Sequence, residues 1–526
     1  MLATLLLCAS LASAADAPPD SLLTVAERSG FKATARHAEV MALCEALAKA
    51  SPLVHLDELG KSEEGRSLPL MIVADPPIRT AEEAKASGKL VVFLFGNIHA
   101  GEVCGKEALP ILVRELTEKP GHPLLRHLVL AVAPIYNADG NERVAKDNRP
   151  GQVGPEEGMG QRANARGLDL NRDFIKLEAA ETRAFVAFLN AWDPHLVIDT
   201  HATNGSYHRY AVTYDGPKAP AGDPRVVRFA RDRLFPGAGA LFEKATGRKS
   251  YLYGNFEADH SRWTTVPAWP RFGTTYVGLR NRLSVLSEAY AYLPYKDRVE
   301  ATGAFARSCL EFASENRDAI RTLLDDARRD AIAAGLDPKP TDRVAIRSAA
   351  RPFPEKVPIL GYAERIENGH AVSTGVPRDY PADVVQDFVP TVDVARPYAY
   401  LIPASRTAVV ATLRRHGIRV ETLRDPAILD VEVARIDEVT RAAREFQGHR
   451  TVDDVATTVR IEARDMPAGT LVVRTAQPLG SLAVYLLEPR SEDGLTTWTA
   501  FGGALEPGRD FPVVRLPRPA DLATTP

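Results

Sequence analysis

From about Leu53 to Ala334, short apolar runs alternate with longer segments whose apolar residues recur at helical spacing, the pattern of an α/β fold. Leu90-Val91-Val92-Phe93-Leu94-Phe95 is apolar throughout, too short for a buried helix and stopped by Gly96-Asn97, so it predicts a central strand. Val103 to Leu116 reads as the helix that follows. Leu128 to Ile135 repeats the strand signature, and Asn137-Ala138-Asp139-Gly140-Asn141 reads as a loop from its turn-forming residues. Arg143 to Gly167 has little periodicity and predicts a long irregular loop, a kind of segment that is disproportionately functional. A helix from Glu178 to Trp192, a third strand from His195 to Thr200, a fourth from Leu283 to Glu288 and one or two helices between Asp297 and Ala334 complete the pattern.

The texture changes after Asp337-Pro338-Lys339-Pro340. Tyr398 to Ile402, Thr407 to His416 and Ile418 to Glu421 suggest strand, helix and strand. From about Val452 onward, short alternating runs such as Val459 to Ala463 and Thr470 to Arg474, separated by Pro, Gly and Asp, predict a small β domain. The expected organisation is a signal segment over 1–14, an α/β domain over 20–335, a linking α/β region over 336–450 and a β domain over 451–526.

Composition narrows the function classes. The chain's 526 residues exceed one compact core, and 45% hydrophobic with 25% charged residues is ordinary for a globular protein. Lys+Arg 65 against Asp+Glu 68 leaves no general basic field, which excludes non-specific nucleic-acid binding as a driving role. Leu2 to Ala12 is a short apolar run ending in Ala12-Ser13-Ala14, the small-x-small pattern of a signal cleaved after Ala14, so a secreted or periplasmic mature protein without a membrane anchor is expected. Cys8 would leave with the signal. Cys44, Cys104 and Cys309 are too few and scattered for a disulfide scaffold.

Of four polar clusters, most sit just past the carboxyl end of a predicted strand, where open α/β sheets bind ligands. His99-Ala100-Gly101-Glu102 places a nitrogen and an oxygen donor three positions apart on the turn into a helix, suited to one metal ion. A catalytic zinc keeps three protein ligands and one open position. His201, directly after the third strand, is the best third ligand, because His195 opens that strand at the opposite edge and His208 and His260 follow no strand. Asn171 and Arg172 in Asp169-Leu170-Asn171-Arg172 offer an amide and a planar fork that together can hold a carboxylate. Glu288 ends the fourth strand, where a desolvated carboxylate near a metal could take a proton from water. Glu257 and Asp259 are its rivals as base.

With these motifs, residues 50 to 330 resemble the zinc carboxypeptidases of the pancreatic type and their bacterial relatives. The resemblance rests on His99 and Glu102, the Asn137 to Gly140 loop, Asp169 to Arg172, His201 and Glu288. It implies a mixed sheet flanked by helices and one Zn²⁺ per chain held by His99, Glu102 and His201. Asn171 and Arg172 would bind a free C-terminal carboxylate of a peptide substrate, and Glu288 would activate the zinc-bound water. An Arg that polarises the scissile carbonyl is best matched by Arg162, with Arg166 in reserve, and Asp169 matches the acid that steadies the first zinc His. The family's Tyr that closes over substrate has candidates in Tyr251, Tyr253 and Tyr276, with Tyr276 expected in that place. Zinc-dependent deacylation of N-acyl amino acids, as in the aspartoacylase and succinylglutamate desuccinylase group, and a non-catalytic peptide-binding protein on the same fold are the alternatives.

Overall fold

The computed structural model describes residues 18–526; the expected signal segment and Cys8 lie outside the described residues. The apolar runs form the middle of an eight-stranded mixed sheet. Its strands are β1 (Val54–Lys61), β2 (Ser67–Val73), β3 (Leu90–Gly96), β4 (Leu128–Ala133), β5 (Leu196–Thr203), β6 (Val212–Asp215), β7 (Ser250–Leu252) and, after the short outlying strands β8 (Asn255–Phe256) and β9 (Arg262–Thr264), β10 (Leu283–Tyr290). They are ordered β1-β2-β4-β3-β5-β10-β6-β7. The centre, β4-β3-β5-β10, is parallel, which accounts for strands that are apolar on both faces. The outer strands β1, β2 and β6 pair antiparallel with their inner neighbours.

Side-chain alternation sorts what each face carries. Phe93 and Phe95 of β3 pack on Phe185 and Phe188 of the helix Ala180–Trp192, and the register sets Asp199 of β5 beside Phe95. Thr200 points the other way, into the helix Cys104–Thr117, where a Cβ on Gly105 would lie 1.9 Å from the Thr200 hydroxyl. Only glycine permits so close an approach. Asp199 and His201 therefore share the face opposite that helix.

The segment Asn137 to Asn141, expected as a loop, is instead a one-turn helix, Ala138–Glu142. The turn-forming residues act as its cap, Asn137 Oδ1 accepting from Gly140 N–H at 2.9 Å. The helices Tyr295–Glu315 and Arg317–Leu336 close this part of the chain at the composition change.

Beyond it, β11 (Arg343–Pro352), β12 (Val357–Glu367) and the 26-residue β13 (His370–Ala395) form a second sheet with β8 and β9. β13 pairs with β12 along its outer half, with β11 along its inner half, and runs parallel to β9 at Asp383 to Val385. No residue from 362 to 379, the outer part of the β12–β13 hairpin, is buried. A third, seven-stranded sheet gathers β14 (Ala399–Ile402), β15 (Glu421–Leu423), β16 (Ala427–Arg441), β17 (Val452–Met466), β18 (Leu471–Arg474), β19 (Val514–Leu516) and β20 (Thr524–Thr525). The expected division at 450 falls in the connection between β16 and β17, which pair antiparallel along nearly their whole length. Leu429, Val431 and Val433 of β16 already alternate into the core of this sheet. The strand expected over Ile418 to Glu421 begins only at Glu421, Ile418 and Val420 being buried in the loop before it.

The C-terminal sheets dock on the catalytic part through polar as well as apolar contacts. His416 bridges the Tyr276 hydroxyl (2.8 Å) and the Ile175 carbonyl (3.0 Å). Among the described residues no helix is long and apolar enough to cross a membrane, and Cys44, Cys104 and Cys309 are free and buried.

Candidate active site

His99 and Glu102 leave the carboxyl end of β3 in a tight turn closed by the Glu102 N–H donating to the His99 carbonyl at 2.8 Å. His201 lies on β5 with Glu288 of β10 as its register partner. Parallel strands in register point such partners to the same side, so the second and fourth sequence clusters meet the first. His99, Glu102 and His201 bring one donor atom each within 4.8 Å of one another. Nδ1 of His99 is 3.1 Å and Nδ1 of His201 is 2.8 Å from the Glu102 carboxylate. Each imidazole turns its other nitrogen to a second acid: His99 Nε2 is 3.0 Å from Asp169 Oδ1, and His201 Nε2 is 2.8 Å from Asp199 Oδ2. That last pair lies outside hydrogen-bond alignment, leaving both Asp199 oxygens and His201 Nε2 buried without a bonded partner.

This donor set fits zinc: two imidazole nitrogens and one carboxylate converge, and an outer acid lies beside each ring. Burial acts to raise the pKa of Glu102, but the charges on His99, Arg149 and His201 outweigh it and hold the carboxyl well below its usual range. Arg149 was not anticipated from sequence. Its guanidinium donates to Glu102 Oε1 and to the Ala202 carbonyl, both at 2.8 Å, and it comes from the aperiodic Arg143 to Gly167 loop, where only composition marks it.

Asp169 caps a single turn, Leu170–Arg172. Its Oδ1 also accepts from the Asn171 N–H at 2.9 Å, and its Oδ2 from Arg162 Nε at 2.9 Å. Burial opposes ionisation of Asp169, yet His99, Arg162 and Arg172 drive its pKa far down. Arg166, the reserve for Arg162, turns away to the Glu178 carbonyl. Arg172 has no full carboxylate partner: its guanidinium lies over the Phe272 ring at 4.3 Å and comes no nearer than 3.9 Å to Asp169. Asn171 Oδ1 accepts from the Gly273 N–H at 2.8 Å, which leaves the amide N–H groups as the end available to a ligand.

These groups line one cavity of about 170 Å³, together with Glu288, Tyr253, Phe272, Thr274, Thr275 and Leu286. Burial pushes the Glu288 carboxyl up to about 8, against the pull of His201, and its Oε2 is buried with no partner. Tyr276 does not reach this cavity. It is fully buried in the helix Gly273–Leu279, where every residue is buried, with its hydroxyl held by His416 and Arg280. Tyr253 takes the place on the wall, its hydroxyl pushed up to about 12 by burial and the nearby Glu288. The inner end of the cavity carries an unanticipated ion pair, Lys218 with Asp215, closed by Thr265 donating to Asp215 Oδ2 at 2.7 Å.

The rival residues lie elsewhere. His195 Nδ1 accepts from the Val91 N–H, His208 stacks on Tyr290, and His260 pairs with Glu364. Glu257 and Asp259 are exposed.

A metal-competent triad at the carboxyl ends of parallel strands, a buried acid and an arginine held loosely by its nearest carboxylate thus share one cavity of the mixed sheet. Residues 40–232 match the family model described as zinc carboxypeptidase. Carboxypeptidase 2 of Trichophyton equinum is 26% identical over 488 residues, covering 87% of this chain and 81% of that protein. Carboxypeptidase D of Mus musculus is 37% identical over 147 residues, 25% of this chain and 11% of that one. Of solved structures, a metallo-carboxypeptidase from Burkholderia cenocepacia aligns at 17% identity and a TM-score of 0.38, covering 54% of this chain and 69% of that chain.

Proposed function

We propose that the protein is an exported zinc carboxypeptidase that removes the C-terminal residue of peptides, with 18–336 as its catalytic unit and 337–526 as one C-terminal β-rich unit. The observation that carries this reading is Arg172, an arginine seated on Phe272 beside the free amide end of Asn171, without a full counter-ion and in the same cavity as the metal triad. A substrate's terminal carboxylate supplies the missing charge there.

Zinc held by His99, Glu102 and His201 would supply Lewis acidity to water and to the scissile carbonyl. Glu288, unpartnered and with raised pKa, takes the proton of the attacking water and returns it to the leaving amine. Arg162, held by Asp169 through Nε and Nη2, has Nη1 left for the oxygen that gains charge. Tyr253 stands where a hydroxyl can close over the substrate.

Amidating the substrate's C-terminus tests the reading. Losing a hydrogen-bonded charge pair costs ~2–5 kcal/mol, so amidated peptides are cleaved ~30-fold or more slowly than free acids. Arg172→Ala impairs free-acid substrates strongly and amidated ones hardly at all. Equal cleavage of both by the wild type, or a preference for short N-acyl amino acids over every peptide, overturns it.

A further inference from the structure

The β16–β17 connection reaches back to the metal triad's supporting acid. The Asp169 N–H donates to Gln447 Oε1 at 2.8 Å, across 278 residues of sequence. This N–H belongs to the residue whose two carboxylate oxygens serve His99 and Arg162. We propose that Gln447 is a positioning residue of the catalytic centre, fixing through the Asp169 main chain the carboxylate that orients His99; the inference rests on the zinc carboxypeptidase reading above.

The turn is built to hold that side chain still. Phe446 and His449 exchange backbone hydrogen bonds of 2.8 and 3.0 Å around Gln447 and Gly448, both of which have positive φ, +53° and +78°. Two positive φ values in a two-residue hairpin are the type I′ signature, and the first position there favours Asn, Asp or Gly. Gln, with a longer side chain, is costly in that conformation. Asn would suit the turn better but ends one carbon short of Asp169. The turn's flanks are anchored on the catalytic unit as well: His449 Nε2 is 2.7 Å from Glu178 Oε1, and Phe446 lies beside Arg271, which Asp493 binds through Nε at 2.9 Å. Arg271 precedes the Phe272 on which Arg172 sits. The residue that strains the turn is thus the one that touches the centre.

Gln447→Asn separates a positioning role from a structural one, because it relieves the turn while cutting the contact. Three quantities are compared with wild type: the zinc dissociation constant, kcat and KM for a free-acid peptide, and the Tm of the zinc-free protein. Partners that support a metal ligand are worth ~10–100-fold in metal affinity or activity, and Gln447 acts one step further out. The expected result is zinc affinity and kcat lowered about five- to tenfold, KM within about twofold, and a zinc-free Tm unchanged or higher. Zinc affinity and kcat within about twofold of wild type, or losses that merely follow a lower zinc-free Tm, overturn the proposal. A wild type with no zinc affinity overturns the proposed function and this inference together; a wild type that binds zinc and cleaves peptides, matched by Gln447→Asn, overturns this inference alone.

Discussion

Two clusters of buried charge can be set side by side, one in each unit of the chain. In the C-terminal sheet Glu488 is 1% exposed, and its Oε1 accepts from Arg515 Nε (2.8 Å) and the Tyr400 hydroxyl (2.5 Å) while Arg515 also holds its Oε2 and reaches Glu432 at 3.3 Å. Both carboxylate oxygens are bonded, and the arginine has two acids as partners. At the cavity Glu288 Oε2 is buried without a partner, Asp199 Oδ2 and His201 Nε2 approach to 2.8 Å without hydrogen-bond alignment, and Arg172 stands 3.9 Å from Asp169. A buried charge left without its partner is costly, so a cluster that serves only the fold closes on itself. On the proposed reading, the open valences at the cavity are the places of a metal, a proton and a substrate anion.

Substitution should separate the two clusters sharply. The largest effect is expected from Glu288→Gln, which lowers kcat by ~10²–10⁴, the worth of general acid–base catalysis, with zinc content and Tm held; His201→Ala instead loses most of the zinc, as metal analysis would read. Near-normal turnover of Glu288→Gln would place the base elsewhere and close the contrast from the catalytic side. Glu488→Ala does the reverse: it strands Arg515 and costs ~3–5 kcal/mol of stability in denaturant unfolding, with kcat unchanged in the folded enzyme. A loss of activity without a loss of stability in that variant would make the C-terminal cluster functional too.

The smallest effect concerns pH. Burial raises the Asp493 carboxyl to about 6, against its bonds to Arg271 and Trp498. An acid whose pKa is higher folded than unfolded contributes stability that is complete below the unfolded value of 3.8 and lost as pH rises through about 6. Asp493→Asn should flatten the pH dependence of stability in that window by about 2–3 kcal/mol. An unchanged slope assigns the titration to another group, with Glu181, raised by burial to about 7, next in line.

The parts legible in the sequence share a cause: they are local. A strand of six apolar residues ends where Gly96 ends it, so His99 and Glu102 could be placed without knowing what lay opposite. His201 and Glu288 followed from the same strand-end rule, and their pairing in register was the one long-range fact needed. Asp199 had a readable signal, two residues before His201 on a period-two strand. Tyr253 was one of three candidate tyrosines that the sequence did not rank first, and Arg149 and the Asp215–Lys218 pair had no local signal, because each enters the cavity from a loop or outer strand whose course depends on packing. Tyr276 failed as the closing residue for a reason visible only in three dimensions, since the whole helix Gly273–Leu279 is inside. The domain boundary at 450 failed because alternation starts a strand earlier, in β16.

The long hairpin of β12 and β13 has a practical consequence. Its inner end is fastened to β9 and β11, whereas its outer end turns at Asn368 and Gly369 with Ile366 73% and Val376 59% exposed. Nothing that shapes the cavity depends on that tip. Extra chain inserted there, such as a fluorophore-bearing peptide or an affinity tag, joins at exposed residues, none of which lines the cavity, so the hairpin is the place at which to label or immobilise the protein.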